Sequence, residues 1–252
     1  MEFRLLNCAT FRPYFPPVVS ATNCLLVRSG SSLLLVDSGL GVRDRVEPTR
    51  AMKWFCRLSR IPSDPNETAI RQIQGLGLGP SDVKHIVLTH LHIDHAGGLP
   101  DFPEAIVHVH RTEYEAAMEA TGLARIVYRP EHWSHEPRWL IHETRNTSGW
   151  FGLDSIPVLS DELFEVLLIP LAGHSAGHCG VAIKGDMKWV LHCGDALPLG
   201  GFESNPPEWI TRRLIGPHVK RLKHLAYEHR DEVQILSSHM PLGSESSRIW
   251  SS

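Results

Sequence analysis

Four side chains that can bind a divalent metal ion lie within six consecutive residues of this sequence. They are His90, His92, Asp94 and His95, and an apolar run typical of a β-strand ends just before them, at Thr89. Imidazole nitrogens and carboxylate oxygens suit zinc and similar ions. Two residues apart on an extended chain, His90 and His92 point the same way, and the turn that follows can carry the other two towards a second ion. A polar loop that is merely rich in histidine is the alternative, and this spacing after a strand argues against it.

Three further candidate ligands follow later apolar runs. His174, Asp195 and His239 each come within five residues of the end of a predicted strand. Side chains at the ends of separate strands can converge in space. The repeated placement therefore supports a metal site more strongly than any single motif does.

Composition limits the possible functions. Sixteen histidines are many for a chain of this length, although their number alone does not show metal binding. The net charge of −3 gives no broad attraction for nucleic acid or an anionic membrane. No stretch reaches the roughly 20 apolar residues that span a bilayer. We therefore expect a small-molecule substrate, no nucleic-acid partner and no membrane partner; the oligomeric state stays open.

Residues 1–7 have neither the basic start nor the apolar run of a secretory signal. The five cysteines are scattered and odd in number, which favours reduced thiols over a disulfide framework. We therefore expect a cytoplasmic protein. Without repeats or an evident linker, residues 1–252 are expected to form one domain.

Short apolar runs predict strands at roughly 24–28, 32–37, 85–89, 106–108, 164–169, 179–184, 188–193 and 233–236. Small residues at 29–31 and at 185–186 predict a hairpin in each place. Helices are predicted at 67–75, after Asn66 as the N-cap, and at 111–120 and 219–230. The basic face of the last helix is expected to be solvated. Segments 41–65 and 125–159 resist assignment, and they either cover the core or wall a substrate cleft.

These motifs resemble those of the metallo-β-lactamase superfamily, in its hydrolase branch. The matching order is H-x-H-x-D-H, then His, Asp and His, and Leu35-Val36-Asp37-Ser38-Gly39 matches an earlier family motif. The resemblance implies an α/β fold: an αββα sandwich of two facing mixed β-sheets with helices outside. It also implies one metal held by His90, His92 and His174, a second held by Asp94, His95 and His239, and Asp195 as the bridge. Asp37 and His178 would orient the ligands.

Such a centre implies hydrolysis. Two divalent ions about 3.5–4 Å apart share a hydroxide and lower its pKa towards about 7. The hydroxide would attack a lactone, ester, thioester or amide carbonyl, and Asp94 would shuttle the proton to the leaving group. Zinc is the expected ion, with iron, manganese or cobalt as alternatives. No G-x-S-x-G motif supports a serine hydrolase. Cys179 and Cys193 are expected to be buried structural thiols, because nothing in the sequence marks them as activated.

Within the superfamily, the sequence is most similar to the N-acyl-homoserine lactonases, which would make it a quorum-quenching enzyme. The resemblance lies in the helix start at 110–117, the segment 219–222 and the overall length. Two positions depart from the lactonase pattern. Pro198 replaces a tyrosine that helps to hold the substrate carbonyl, and Met240 replaces an acidic residue. Tyr128 is the candidate to supply a phenol instead; no other substrate-binding residue is identified.

Four other activities use the same fold. A glyoxalase-II-like thioester hydrolase shares all seven ligands but usually adds a helical domain after them. An iron-dependent persulfide dioxygenase is disfavoured because the second-metal ligands are complete. A nuclease is disfavoured by the acidic charge balance. A true β-lactam hydrolase usually lacks this combination of Asp94, His95 and Asp195. A non-enzymatic scaffold is disfavoured because no ligand position is substituted.

Overall fold

A seven-stranded mixed β-sheet contains most of the N-terminal half of the chain. The computed structural model describes residues 1–14, 17–143, 148–204, 209, 215–241 and 250–251. The strands of this first sheet are β1 (Glu2–Phe11), β2 (Ser20–Ser29), β3 (Ser32–Val36), β4 (Val83–Val87), β5 (Ile106–His110), β6 (Arg138–His142) and β13 (Trp250–Ser251). They lie in the order β13-β1-β2-β3-β4-β5-β6. Neighbours from β3 to β6 are parallel, and the other pairs are antiparallel.

A second mixed sheet holds the remaining strands of the described residues. They are β7 (Ser148–Trp150), β8 (Leu153–Ser160), β9 (Glu165–Pro170), β10 (Cys179–Lys184), β11 (Trp189–His192) and β12 (Val233–Leu236). Their order is β12-β11-β10-β9-β8-β7. Only the β11–β12 pair is parallel.

The helices are short. They are α1 (Val42–Val46), α2 (Arg50–Leu58), α3 (Ala69–Gly75), α4 (Ile93–Ala96), α5 (Arg111–Met118) and α6 (Val219–Glu228). Single 3-10 turns lie at Pro80–Asp82, Leu99–Asp101, Gly122–Ile126, Pro130–His132 and Gly201–Glu203. The side chain of Thr49 accepts a hydrogen bond from the backbone N–H of Met52 and so fixes the start of α2.

Strand β3 shows how the layers form. Alternate side chains of a strand point to opposite faces. Leu34 and Val36 pack between the two sheets, in one cluster with residues of β9 such as Leu168. Leu33 and Leu35 pack on the other face, against α3 and α5. Since both faces are buried, the strand reads as a continuous apolar run.

The outer face of the second sheet is covered by α6. Leu222 and Leu225 are the buried residues of this helix, and they pack with Leu191 of β11. The layers are therefore helix, sheet, sheet and helix, which confirms the predicted αββα sandwich. No helix of the described residues is long and apolar enough to cross a bilayer.

All eight predicted strands are present, and both predicted hairpins are confirmed, by the antiparallel pairs β2–β3 and β10–β11. Strand β1 was not predicted. The predicted helix start at residue 67 was wrong, because α3 begins at Ala69 with Thr68 as the N-cap. The Glu67 carboxylate instead accepts hydrogen bonds from the backbone N–H and hydroxyl of Thr10, at 2.8 and 2.6 Å. The helices predicted at 111–120 and 219–230 end two residues early, at Met118 and Glu228.

The two unassigned segments contribute mainly to the core. Segment 41–65 forms α1 and α2, and Met52 of α2 is buried in a cluster with Phe11 and Ile93. Segment 125–159 contains β6 and β7 and most of β8, so it extends both sheets. Tyr128 of segment 125–159 also packs against a predicted metal ligand, and Phe55 of segment 41–65 packs on a ring that does.

Candidate metal centre

The seven predicted ligand residues meet where strands of both sheets end. His90 follows β4, Asp195 follows β11, and His239 follows β12. The carboxyl ends of the parallel pairs β3–β4 and β11–β12 supply this edge. His174 lies in the connection between β9 and β10, and His92 directly precedes α4, which carries Asp94 and His95.

Backbone hydrogen bonds join the two sheets at this edge. The N–H of Asn23 in β2 donates to the carbonyl of Ser238 at 2.8 Å. The N–H of Cys179, at the start of β10, donates to the carbonyl of Thr89 at 2.9 Å. The residues that follow β4 and β12 are thus held against the opposite sheet.

The donor atoms of these side chains form three overlapping groups, each spanning no more than 4.8 Å. The groups are His90, His92 and His174; His90, His95 and Asp195; and Asp94, His95 and His239. The first and third match the two ligand sets that the resemblance implies. The seven residues therefore lie together, as the sequence predicts; that they bind metal stays a prediction.

Asp195 lies between the two outer groups. One of its oxygens, Oδ2, is 3.3 Å from His174 Nε2 and 3.3 Å from His239 Nε2. Its other oxygen, Oδ1, is 3.4 Å from His95 Nε2. A carboxylate in this position can reach ions in both groups, which fits a bridging role.

The geometry of the donors fits tetrahedral metal ions. Ligand atoms about 2.1 Å from a tetrahedral ion are about 3.4 Å apart. Here His92 Nδ1 and His174 Nε2 are 3.0 Å apart, and His239 Nε2 is 3.6 Å from Asp94 Oδ2. His90 is fully buried, and its Nε2 has no hydrogen-bond partner among the described residues. Because buried polar atoms are nearly always paired, this nitrogen needs a further partner, such as a metal ion.

Asp37 is buried beneath the centre and orients two of the histidines. Its Oδ2 lies 2.8 Å from His95 Nδ1 and 2.8 Å from the Thr89 hydroxyl, and its Oδ1 accepts from the Thr89 backbone N–H at 2.8 Å. The Thr89 hydroxyl is in turn 3.0 Å from His90 Nδ1. Since the carboxylate accepts throughout, the protons of His95 and His90 sit on Nδ1. In the neutral rings, this leaves both Nε2 lone pairs for the centre.

His178 supports the backbone of Asp195. Burial, followed by the charge of nearby His174, lowers the pKa of His178 to about 3. Its Nδ1 donates to the Leu171 carbonyl at 3.2 Å, and its Nε2 accepts from the backbone N–H of Asp195 at 3.0 Å. The neutral ring thus fixes the backbone of the residue predicted to bridge the metals.

Charge within the centre is balanced between histidines and carboxylates. Burial alone would lower the pKa of His95, but Asp195, Asp94 and Asp37 together raise it well above the ordinary value. Burial, and then the neighbouring His174, lowers the pKa of His92 to about 3. A neutral His92 has the lone pair that a ligand requires.

One carboxylate oxygen of Asp94, the predicted proton shuttle, accepts a hydrogen bond. Its Oδ2 accepts from the Thr22 hydroxyl at 3.1 Å and lies 3.6 Å from His95 Nε2. Within the described residues Oδ1 makes no hydrogen bond, so it can take up a proton. Thr22 was not predicted as a site residue, and no motif marks it.

The substrate-binding candidate Tyr128 lies beside the centre. Its ring centroid is 5.0 Å from that of His92, and its hydroxyl donates to Glu113 Oε1 at 3.1 Å. The phenol is therefore engaged with a buried carboxylate. Sequence reasoning did not single out Glu113, although it lies in the segment 110–117 that resembles the lactonase helix start; its burial is shown only by the structure.

The two departures from the lactonase pattern lie close to the centre. Pro198 follows Asp195 by three residues, and its carbonyl accepts a hydrogen bond from Gly201. Met240 directly follows His239, and its carbonyl accepts from the backbone N–H of Ala21.

One further ring adjoins the predicted ligands. Phe11 packs edge-on against His239, with ring centroids 5.1 Å apart, and Phe55 of α2 packs on Phe11 at 6.1 Å. These rings give the second ligand group an apolar neighbour, which the sequence did not indicate.

Both cysteines near the ligand motifs are buried. Burial, with a smaller contribution from a nearby carboxylate, raises the pKa of the Cys179 and Cys193 thiols. Neither thiol is activated as a nucleophile, which agrees with the expectation of structural cysteines.

Comparison with known proteins agrees with this geometry. The family described as the metallo-beta-lactamase superfamily matches residues 17–237. A probable metallo-hydrolase of Mycobacterium tuberculosis is 41% identical, over 94% of this chain and 79% of its own length. An N-acyl homoserine lactonase of Agrobacterium fabrum is 35% identical, over 82% of this chain and 77% of its own.

A solved structure shows the same fold. It is an N-acyl homoserine lactone hydrolase with N-hexanoyl-L-homoserine, its product, at the catalytic metal center. Its TM-score to this chain is 0.64 at 20% identity, and the match covers 93% of this chain and 92% of that one. The chain therefore belongs to the metallo-β-lactamase superfamily, with metallo-hydrolases and lactonases among its relatives.

Proposed function

We propose that this protein is a hydrolase with two divalent metal ions that opens a lactone or a related ester. His90, His92 and His174 hold one ion, and Asp94, His95 and His239 hold the other. Asp195 bridges the two ions. Zinc is the proposed ion, because nitrogen and carboxylate donors in tetrahedral arrangement suit it best.

The observation that carries the proposal is the position of Asp195 between two complete sets of three donors. Two ions held by these sets and joined by Asp195 would share an activated water. A structural zinc site is typically a single ion enclosed by four ligands that include cysteine, and none of the seven residues is a cysteine. The arrangement thus favours chemistry over a purely structural metal.

Within such a centre, each group has a separate task. When bound, the two ions supply an activated water as the nucleophile and positive charge for the carbonyl oxygen. Water adds to the carbonyl carbon, the ring C–O bond breaks, and the leaving alkoxide must gain a proton. Asp94 Oδ1, which is not committed to another hydrogen bond in the described residues, carries that proton from the water to the alkoxide. Asp37 and His178 hold the ligands in place.

The proposed substrates are N-acyl homoserine lactones. Support comes from the lactonase relative at 35% identity and from the apolar rings of Phe11 and Phe55 beside His239, which suit an acyl chain. Pro198 removes one hydroxyl contact to the substrate carbonyl. We therefore expect slower turnover than in lactonases that have that tyrosine.

The test is a series of hydrolysis assays on zinc-loaded protein, with acyl-homoserine lactones of several chain lengths. Asp195→Asn serves as the inactive control. Ring opening that depends on Asp195 and varies with chain length supports the proposal. If the lactones are no better hydrolysed than by the control, while a glutathione thioester is cleaved, the lactone assignment is wrong. Persulfide-dependent oxygen consumption by an iron-loaded sample would instead indicate the dioxygenase.

A further inference from the structure

One buried carboxylate outside the predicted ligand set makes four hydrogen bonds. Glu113 lies in the first turn of α5 and has no exposed surface. Its Oε1 accepts from the Leu91 backbone N–H at 2.9 Å and from the Tyr128 hydroxyl at 3.1 Å. Its Oε2 accepts from the Ser175 hydroxyl at 2.6 Å and from the Gly177 backbone N–H at 3.1 Å. All four acceptor positions of the carboxylate are thus used.

These four donors surround one of the two ligand groups. Leu91 stands between His90 and His92 in the chain, and Tyr128 packs against the His92 ring. Ser175 and Gly177 belong to the connection that carries His174. Glu113 therefore contacts both chain segments that supply the three-histidine group. Among the described residues, Glu113 makes no hydrogen bond to α4, which carries Asp94 and His95, or to His239.

We infer that Glu113 is a positioning residue that holds the two halves of the three-histidine site together. The inference rests on the proposed function, because it assumes that His90, His92 and His174 bind a metal ion. Close packing supports the same contact. A Cβ atom on Gly177 would lie 2.1 Å from the backbone nitrogen of Glu113, so the His174 segment lies directly on the start of α5.

Only a carboxylate satisfies these four donors. Each oxygen receives one hydroxyl and one backbone N–H. A hydroxyl can rotate and accept instead, but a backbone N–H cannot. In Glu113→Gln the amide nitrogen must face either Leu91 N–H or Gly177 N–H, whichever way the amide turns. One ligand segment is then pushed away from the other. Replacing residues that orient metal ligands typically weakens metal binding about 10- to 100-fold.

The experiment measures zinc affinity one site at a time, by competition with a chromophoric chelator. In a His239→Ala background the second site lacks a ligand, so tightly bound zinc reports the three-histidine site. There, Glu113→Gln should weaken zinc binding about 10- to 100-fold. In a His174→Ala background, tightly bound zinc instead reports the site formed by Asp94, His95 and His239. There, Glu113→Gln should change the zinc affinity by less than about threefold. Glu115→Gln is the matched control, because Glu115 is exposed on the same helix.

Equal weakening in both backgrounds would show that Glu113 only supports the fold, and unchanged affinity in the His239→Ala background would show that it positions nothing. Either result overturns the inference. If Glu113→Gln does not fold, Ser175→Ala takes its place, because it removes a single hydroxyl contact and should weaken the same site only. The Co²⁺ spectrum of Ser175→Ala should change in the His239→Ala background and stay the same in the His174→Ala background. If wild-type protein binds no zinc, the proposed function itself is wrong.

Discussion

Replacing Asp37 by asparagine tests how the centre is built, because the change is nearly isosteric. Asp37 has a positive φ of 57°. Asparagine tolerates this left-handed conformation better than most residues, so backbone strain contributes little. What changes is the hydrogen bonding. The carboxylate accepts from the Thr89 backbone N–H and hydroxyl and from His95 Nδ1.

Neither orientation of the new amide can replace these bonds. If its oxygen faces His95, its NH2 meets the Thr89 backbone N–H. If its NH2 faces His95, the ring must move its proton to Nε2, the atom predicted to bind metal. Leaving one buried polar group unpaired costs about 1–3 kcal/mol. We therefore expect zinc to bind roughly 5- to 150-fold more weakly, since 1.4 kcal/mol corresponds to a factor of ten.

Calorimetric titration of the metal-free protein with zinc measures this effect. Asp154→Asn is the matched control, because Asp154 is exposed on β8 and the same charge is removed. We expect Asp154→Asn to bind zinc with wild-type affinity. Asp37→Asn should still fold but bind zinc more weakly. Wild-type zinc affinity in Asp37→Asn would refute the argument that this carboxylate sets the histidine tautomers.

Three other changes are expected to have specific effects. Asp94→Asn should lower kcat by roughly 10²- to 10⁴-fold, more than it weakens zinc binding in the same titration; the opposite pattern would remove the shuttle role. Gly177→Ala should lower the free energy of unfolding by about 1–3 kcal/mol, because the added Cβ clashes with Glu113. Calorimetry should then show a Tm that is lower by roughly 2–4 °C per kcal/mol. Burial, and then the neighbouring His142 and His85, lowers the pKa of buried His108 to about 3. The unfolded chain therefore binds more protons than the folded chain below about pH 6.5, so the free energy of unfolding decreases as the pH decreases, by up to about 1.4 kcal/mol per pH unit. The Tm of His108→Gln should therefore fall less than that of the wild-type protein when the pH is lowered from 7.5 to 5.5. An equal fall in Tm would contradict this.

The ligand residues could be predicted because their signals are local. Strands such as β3 and β4 are apolar runs, and the polar residues at their ends stand out against them. The layered fold followed from the resemblance. The order of the motifs, not their spacing alone, identified which histidines belong together.

The residues that support the ligands were harder to predict because their partners are distant in sequence. Glu113 contacts Ser175 and Gly177, more than 60 residues away, and a glutamate in the first turn of a helix usually faces solvent. Strand β1 was missed for a related reason. Its polar residue Thr10 is buried, and the Glu67 carboxylate accepts hydrogen bonds from both its backbone N–H and its hydroxyl.

Metal content tests most directly whether the seven residues hold two divalent ions. Mass spectrometry of the native protein, alongside His174→Ala and His239→Ala, gives the number of ions retained per chain. We expect two ions in the wild-type protein and one in each variant, with the folded circular dichroism spectrum unchanged. One ion or none in the wild-type protein, or two in either variant, would contradict this expectation.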